Sequence, residues 1–166
     1  MRLGMAALLW GFLVFPLSAS MVSFMVIETG LRPEANKSDY SYAWEDGLMS
    51  VFFDEGHIVS NSLVLRMEKT PEGIFPKEAE EDFLEAYRGG ADYFILILLE
   101  YKSQGVPLRP QGALIKIFTT EESSEPSQNL VYEQQFPVGT GVNVRDEYVR
   151  AQETGKIVAA QLKDRF

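Results

Sequence analysis

The sequence predicts an α/β (α+β) fold: a single mixed sheet of about five strands with helices packed on it. Three observations carry this. Tyr93 to Leu99 is an unbroken apolar run held between Asp92 and Glu100, the pattern of a strand buried on both faces. Trp44, Leu48, Val51, Phe52 and Glu55 recur at the spacing 4-3-1-3, and Tyr148, Ala151, Gly155, Val158, Leu162 and Phe166 form a second helical stripe. Hydrophobic periods of 2 and of 3.6 follow one another in the order β-α-β-α-β-β-β-α.

Each element has its own local cause. Met21 to Glu28 is apolar on both faces of an extended chain and reads as a central strand. Thr29 to Ser38 holds Gly30, Pro33 and Asn36 and is a loop. A helix capped by Asp39 or Ser41 follows and stops at Gly56, a natural C′ residue. His57 to Ser60 is a short strand, and Leu63 to Glu68 continues extended. Lys69 to Gly73 turns the chain into a helix from Pro76, well suited to a first helical position, to Arg88. That helix should bury Ala79, Phe83, Ala86 and Tyr87 before Gly89-Gly90 ends it. After a loop from Lys102 to Gly112, Ala113–Thr119 and Leu130–Phe136 form a hairpin with a polar tip. Leu130, Tyr132 and Phe136 are placed on one face of its second strand, an alternation that suits a sheet edge. Asn143 caps the last helix, whose first turn carries Asp146 and Glu147 where the dipole favours them. Phe94 to Leu98 should form the sheet centre, covered by Trp44, Val51, Phe52, Phe83, Val158 and Leu162.

Composition narrows the function. With 24 acids against 15 Lys and Arg, the formal charge is −9, which argues against a nucleic-acid partner. The absence of cysteine excludes disulfides, thiolate metal sites, a cysteine nucleophile and a lipid-modified N-terminal cysteine. One histidine leaves little room for a zinc site or a Ser-His-Asp triad. Arg2, the apolar stretch from Met5 to Phe15, Pro16, and small residues at Ser18 and Ser20 read as a secretory signal, residues 1–20, cut after Ser20. Residues 21–166 are then one domain. The alternative is an uncleaved anchor, which would be the only membrane contact. Export without cysteine points to a bacterial periplasm or cell envelope.

Three passages stand out: the helix running into Gly-His-Ile-Val between Leu48 and Val59, the Gly90-Ala91-Asp92-Tyr93 turn into an apolar strand, and the hairpin of Ala113 to Phe136 followed by the last helix. Together they resemble a family of small envelope α/β domains, shared by the N-terminal domain of TolB and by FlgO, LpoB and CsgG. The resemblance implies this fold and an envelope location. The sequence departs from the family in having no lipobox cysteine, no β-propeller and no membrane-inserting hairpins, so lipid anchoring and pore formation are not implied.

Candidate chemistry is sparse. His57 has Asp54 and Glu55 close by in sequence, as a general base would need, but it also follows a C-cap glycine, where its ring can serve the helix end. Glu78, Glu80, Glu81, Asp82 and Glu85 lack the alternating carboxylate loop of a calcium site and read as a solvated face. Val138 to Asn143 has two glycines before a helix but not the third glycine of a dinucleotide site. Ser60-Asn61-Ser62 and Ser123-Ser124 have no Lys or His nearby to activate a hydroxyl. No catalytic, cofactor or metal residue is therefore expected. Tyr40, Tyr42 and Trp44 cannot all face a core, so Tyr40 or Tyr42 should be exposed for a partner, together with Leu130, Tyr132 and Phe136 on the outer strand. The expected function is contact with an envelope protein, as accessory or scaffold of a larger assembly. The alternatives are a periplasmic small-ligand binder, or a hydrolase using carboxylates among Asp54, Glu55 and Asp92.

Overall fold

In a computed structural model that describes residues 19–31, 39–101, 109–120, 125–137, 146–162 and 165–166, the sheet is built around β1 (Met21–Thr29). Helix α1 (Asp39–Asp54) returns the chain to β2 (Ile58–Asn61) and β3 (Leu65–Met67). A 3₁₀ turn at Lys77–Ala79 leads into α2 (Glu80–Arg88) and then β4 (Tyr93–Tyr101). Strand β5 (Pro110–Thr119), a 3₁₀ turn at Pro126–Gln128, β6 (Leu130–Pro137) and α3 (Glu147–Leu162) complete the chain. The sheet order is β2-β1-β4-β5-β6, with β1 parallel to β2 and β4, and β5 antiparallel to both its neighbours.

The sheet has six strands rather than about five because one strand position is broken. Both β2 and β3 pair in parallel with β1. From Phe24 to Ile27, β1 advances three residues while its partner advances four, from Asn61 to Leu65. The extra residue ends regular pairing: the Ser62 amide still donates to Phe24 O at 2.9 Å, Leu63 swings out to 79% exposure and Val64 turns into the core.

Strand β4 is apolar on both faces because both are covered. Ile95 and Ile97, with Val22, Phe24, Ile115 and Ile117, lie under Trp44, Leu48, Phe52, Val158 and Leu162 of α1 and α3. Phe94, Leu96 and Leu98, with Met25, Ile27 and Phe118, lie under Ala79 and Phe83, sealed by Phe75. Val51 is half-buried against the first cluster. Glu55, Tyr87 and Tyr148 are exposed, contrary to their place in the predicted stripes. Glu55 lies past the last turn of α1, Tyr87 sits beside the Arg88 terminus of a nine-residue helix, and the buried stripe of α3 begins one turn later than read, at Ala151.

Helices α1 and α3 meet backbone to backbone. A Cβ on Gly47 would stand 2.0 Å from Gln152 O, and one on Gly155 would stand 2.1 Å from Trp44 O. Ala43, Ala151 and Ala159, all fully buried, line the same cluster, so small residues set the approach. The α3 cap is Asp146, whose Oδ1 accepts from the Tyr148 and Val149 amides at 2.9 and 3.1 Å; Asn143 lies outside the described residues. Ser41 is no cap either. It lies inside α1, with its Oγ 2.7 Å from the Tyr101 hydroxyl across the core. Gly56 takes φ +91°, the left-handed value expected after a helix end.

Strand β6 corrects one face assignment. Ile117 pairs with Tyr132 but Phe118 pairs with Leu130, so β6 carries one extra residue, Val131. This bulge turns Leu130 toward the α2 face, while Tyr132 and Phe136 face α1 and α3.

Candidate functional site

The five residues proposed for partner contact do not form one patch. Tyr40 is 6% exposed and packs under α3, where burial pushes its phenol up despite a bond with Thr154. Phe136 is 3% exposed and belongs to the core. Leu130 and Tyr132 are half-buried on opposite faces. The Tyr132 hydroxyl bonds Gln134, and the Arg165 guanidinium sits 4.9 Å above its ring. Tyr42, at 39% exposure, is the member of the tyrosine pair that faces solvent.

What β6 offers is its edge. Among the described residues it pairs with β5 alone, and its outer backbone groups have no strand partner there. Val131, 58% exposed at the bulge, is its solvent-facing apolar residue. A cleft of about 200 Å³ runs beside the strand, between Gln134 and Phe136 on one side and Thr154, Ile157 and Gln161 of α3 on the other. The alternation reading, which set Leu130, Tyr132 and Phe136 on one face, missed the bulge that makes Val131 prominent.

Asp92 and His57 are committed to structural contacts. Asp92 Oδ2 accepts from the Met21 amide at 2.7 Å while its own amide donates to Met21 O, fastening the start of β4 to the start of β1. The His57 ring packs against Phe52 and Phe166 at 5.8 and 6.1 Å. Asp54 and Glu55 stand exposed at the end of α1. Among the described residues, no three His, Asp or Glu side chains gather to hold a metal ion.

The break in the outer strand opens a trench against α2. Met25, Leu63 and Leu65 form its apolar side and Glu78, Asp82 and Glu85 its acidic wall, around about 550 Å³. It continues past Asn61, Ser62, Asp82 and Glu85 into a hollow of about 180 Å³ that ends at Met21, Ser23 and Gly89. Sequence reading took the acids as a solvated face and Ser60-Asn61-Ser62 as a loop. The signal available was the polar Asn61-Ser62 pair interrupting an extended run.

On the opposite face the same break holds buried charge. Arg66 Nε donates to Glu28 Oε2 at 2.6 Å, a fully buried pair across β1 and β3. Glu45 of α1 is 3% exposed and accepts from Asn61 Nδ2 at 3.2 Å, while its other oxygen is buried without a hydrogen-bond partner. Burial drives this carboxyl from 4.5 to about 7, against the lowering effect of Asn61. The native state therefore keeps a proton that the unfolded chain gives up, and stability falls as pH rises from 4.5 through about 7. At about 1.4 kcal/mol per unit the full cost above that window is ~3 kcal/mol. Glu45→Gln should flatten this dependence and unfold later than the parent at pH 8 but not at pH 4.5, as urea titrations at the two pH values will read.

No protein-family model matches the sequence, and no curated protein matches it. Solved structures similar in outline include the PelC dodecamer from Paraburkholderia phytofirmans, at 14% identity and TM-score 0.47, covering 87% of this chain and 87% of that one. A protein from Xanthomonas campestris aligns at 13% identity and TM-score 0.41, over 90% of this chain and 84% of its own. Lipoprotein GNA1162 from Neisseria meningitidis aligns at 11% identity and TM-score 0.39, over 88% and 96%. All three are bacterial proteins, and likeness at this level assigns no function.

Proposed function

We propose that this chain is an exported, non-enzymatic protein of a bacterial envelope that works by protein–protein contact, as accessory or scaffold of a larger assembly. The observation that carries the contact is the open outer side of β6, a strand edge with a bulge at one end and a cleft from α3 along its flank. Main-chain hydrogen bonds to an added strand supply affinity, and side-chain hollows beside the edge supply selectivity. The bulge limits regular pairing to the stretch beyond Val131, which guards the edge against indiscriminate addition. Export rests on the first twenty residues, and the TolB-like resemblance fits the same location. Hydrogen exchange of the exported protein, with and without its envelope partner, tests the contact. New protection along residues 130–136 is expected; protection confined to Tyr42 and the rest of α1 would replace the edge with the helix.

A further inference from the structure

Acids alone would make a solvated helix face, but here they stand over a trench floored by buried side chains and bordered by an open strand edge. Helix α2 spans nine residues and seats Phe83 on Phe94 of β4, which leaves it short of the β2–β3 side of the sheet. The uncovered strip is the trench. Its apolar side carries Leu63, 79% exposed, next to the almost wholly buried Met25. Its acidic wall is Glu78 of the 3₁₀ turn with Asp82 and Glu85 of α2, and all three line the groove. None of the three is in an ion pair among the described residues. Their negative field is therefore unneutralised and sums along the groove. Among the described residues, strands β2 and β3 pair with β1 only, so the trench runs beside backbone that has no outer strand partner there.

From these features we infer that the trench takes an extended, basic segment of a partner protein, with Lys or Arg against the carboxylates of Glu78, Asp82 and Glu85 and apolar side chains against Leu63. Length argues for a chain over a small cation. The nine residues of α2 rise roughly 13 Å at 1.5 Å per residue, the span of about four residues in a strand. Alternation of basic and apolar residues is the pattern that a strand lying between one acidic and one apolar wall presents. This surface lies on the edge opposite β6 and is independent of the contact proposed there.

The probe is a fluorescein-labelled peptide of about ten residues alternating Lys and Val, titrated into the full domain and read by anisotropy. The alternating peptide is expected to bind with an affinity that falls as salt rises, and its Glu-Val counterpart is expected not to bind. E78Q/D82N/E85Q should weaken binding by on the order of ten-fold or more, and Leu63→Ser should weaken it at unchanged charge. E72Q/E80Q/E81Q, an equal charge change outside the trench, and Val131→Lys on β6 should both leave it unchanged. Amide protection should rise between Ile58 and Leu65. An equal loss in the E72Q/E80Q/E81Q variant would show diffuse attraction to an acidic protein and overturn the trench. Equal affinity for a Lys-Val dipeptide would overturn the extended occupant.

Discussion

Gly155→Ala is expected to destabilise the protein by on the order of 3–5 kcal/mol, or to prevent folding, although alanine is the better helix former. The new methyl would stand 2.1 Å from Trp44 O and 3.0 Å from Leu48 N, both backbone atoms of the facing helix. No rotamer change relieves such a contact, so α1 and α3 must separate along their seam. Separation loosens Trp44, Leu48, Val158 and Leu162 over one whole face of the sheet. Gly47→Ala should behave alike, since its methyl would meet Gln152 O at 2.0 Å. Gly73→Ala is the instructive contrast. Open space surrounds it, so its cost is confined to the strain of φ +88°. Chemical denaturation of the three variants checks the order; a Gly155→Ala protein as stable as the parent would mean that the helices do not meet there.

Leu96→Ala should cost ~2–5 kcal/mol through lost transfer energy and the cavity left behind. Leu96 is fully buried in the α2-side cluster, on a strand hydrogen-bonded on both sides, and its neighbours are held in place by the sheet. Leu63→Ala, the same chemical change at a residue 79% exposed, should stay within ~0.5 kcal/mol. A loss below ~1 kcal/mol at Leu96 would mean that the site collapses freely, which a central strand does not allow.

The contrast between these two leucines shows what a sequence makes legible. Burial of β4 could be read because the apolar run admits no solvent face; Asp92 marks where the strand begins, while at the other end it runs one residue past Glu100 to the buried Tyr101. The helices of the first face could be read from their stripes, and Gly155 stood in the stripe of α3. Its role could not be read, since a glycine in a stripe looks the same whether it fills space poorly or admits another backbone. Two one-residue insertions escaped for a related reason. At Val131 the bulge leaves apolar residues at both 130 and 132, so the alternation looks unbroken while the face has switched. Between Asn61 and Leu65 the same kind of slip splits one strand into two and opens the trench, yet its residues spell an ordinary polar turn. Register is a property of two strands, and one strand's sequence records only half of it. Tyr40 and Phe136 were misplaced as contact residues because aromatic type alone does not say which side of a helix or strand the core will claim.

Contact through the β6 edge is tested most directly by placing a photoreactive phenylalanine analogue at Val131 and, separately, at Tyr42 and Tyr87, and irradiating cells that export the protein. All three positions are solvent-exposed and lie on β6, α1 and α2 respectively, so they report on separate surfaces under equal conditions. The predicted result is one discrete adduct from position 131 in the envelope fraction, lost when Gln135, whose amide points away from β5, is replaced by proline to remove an edge donor, and no such adduct from positions 42 or 87. An adduct from position 42 with none from 131 would contradict it and move the contact to the outer face of α1.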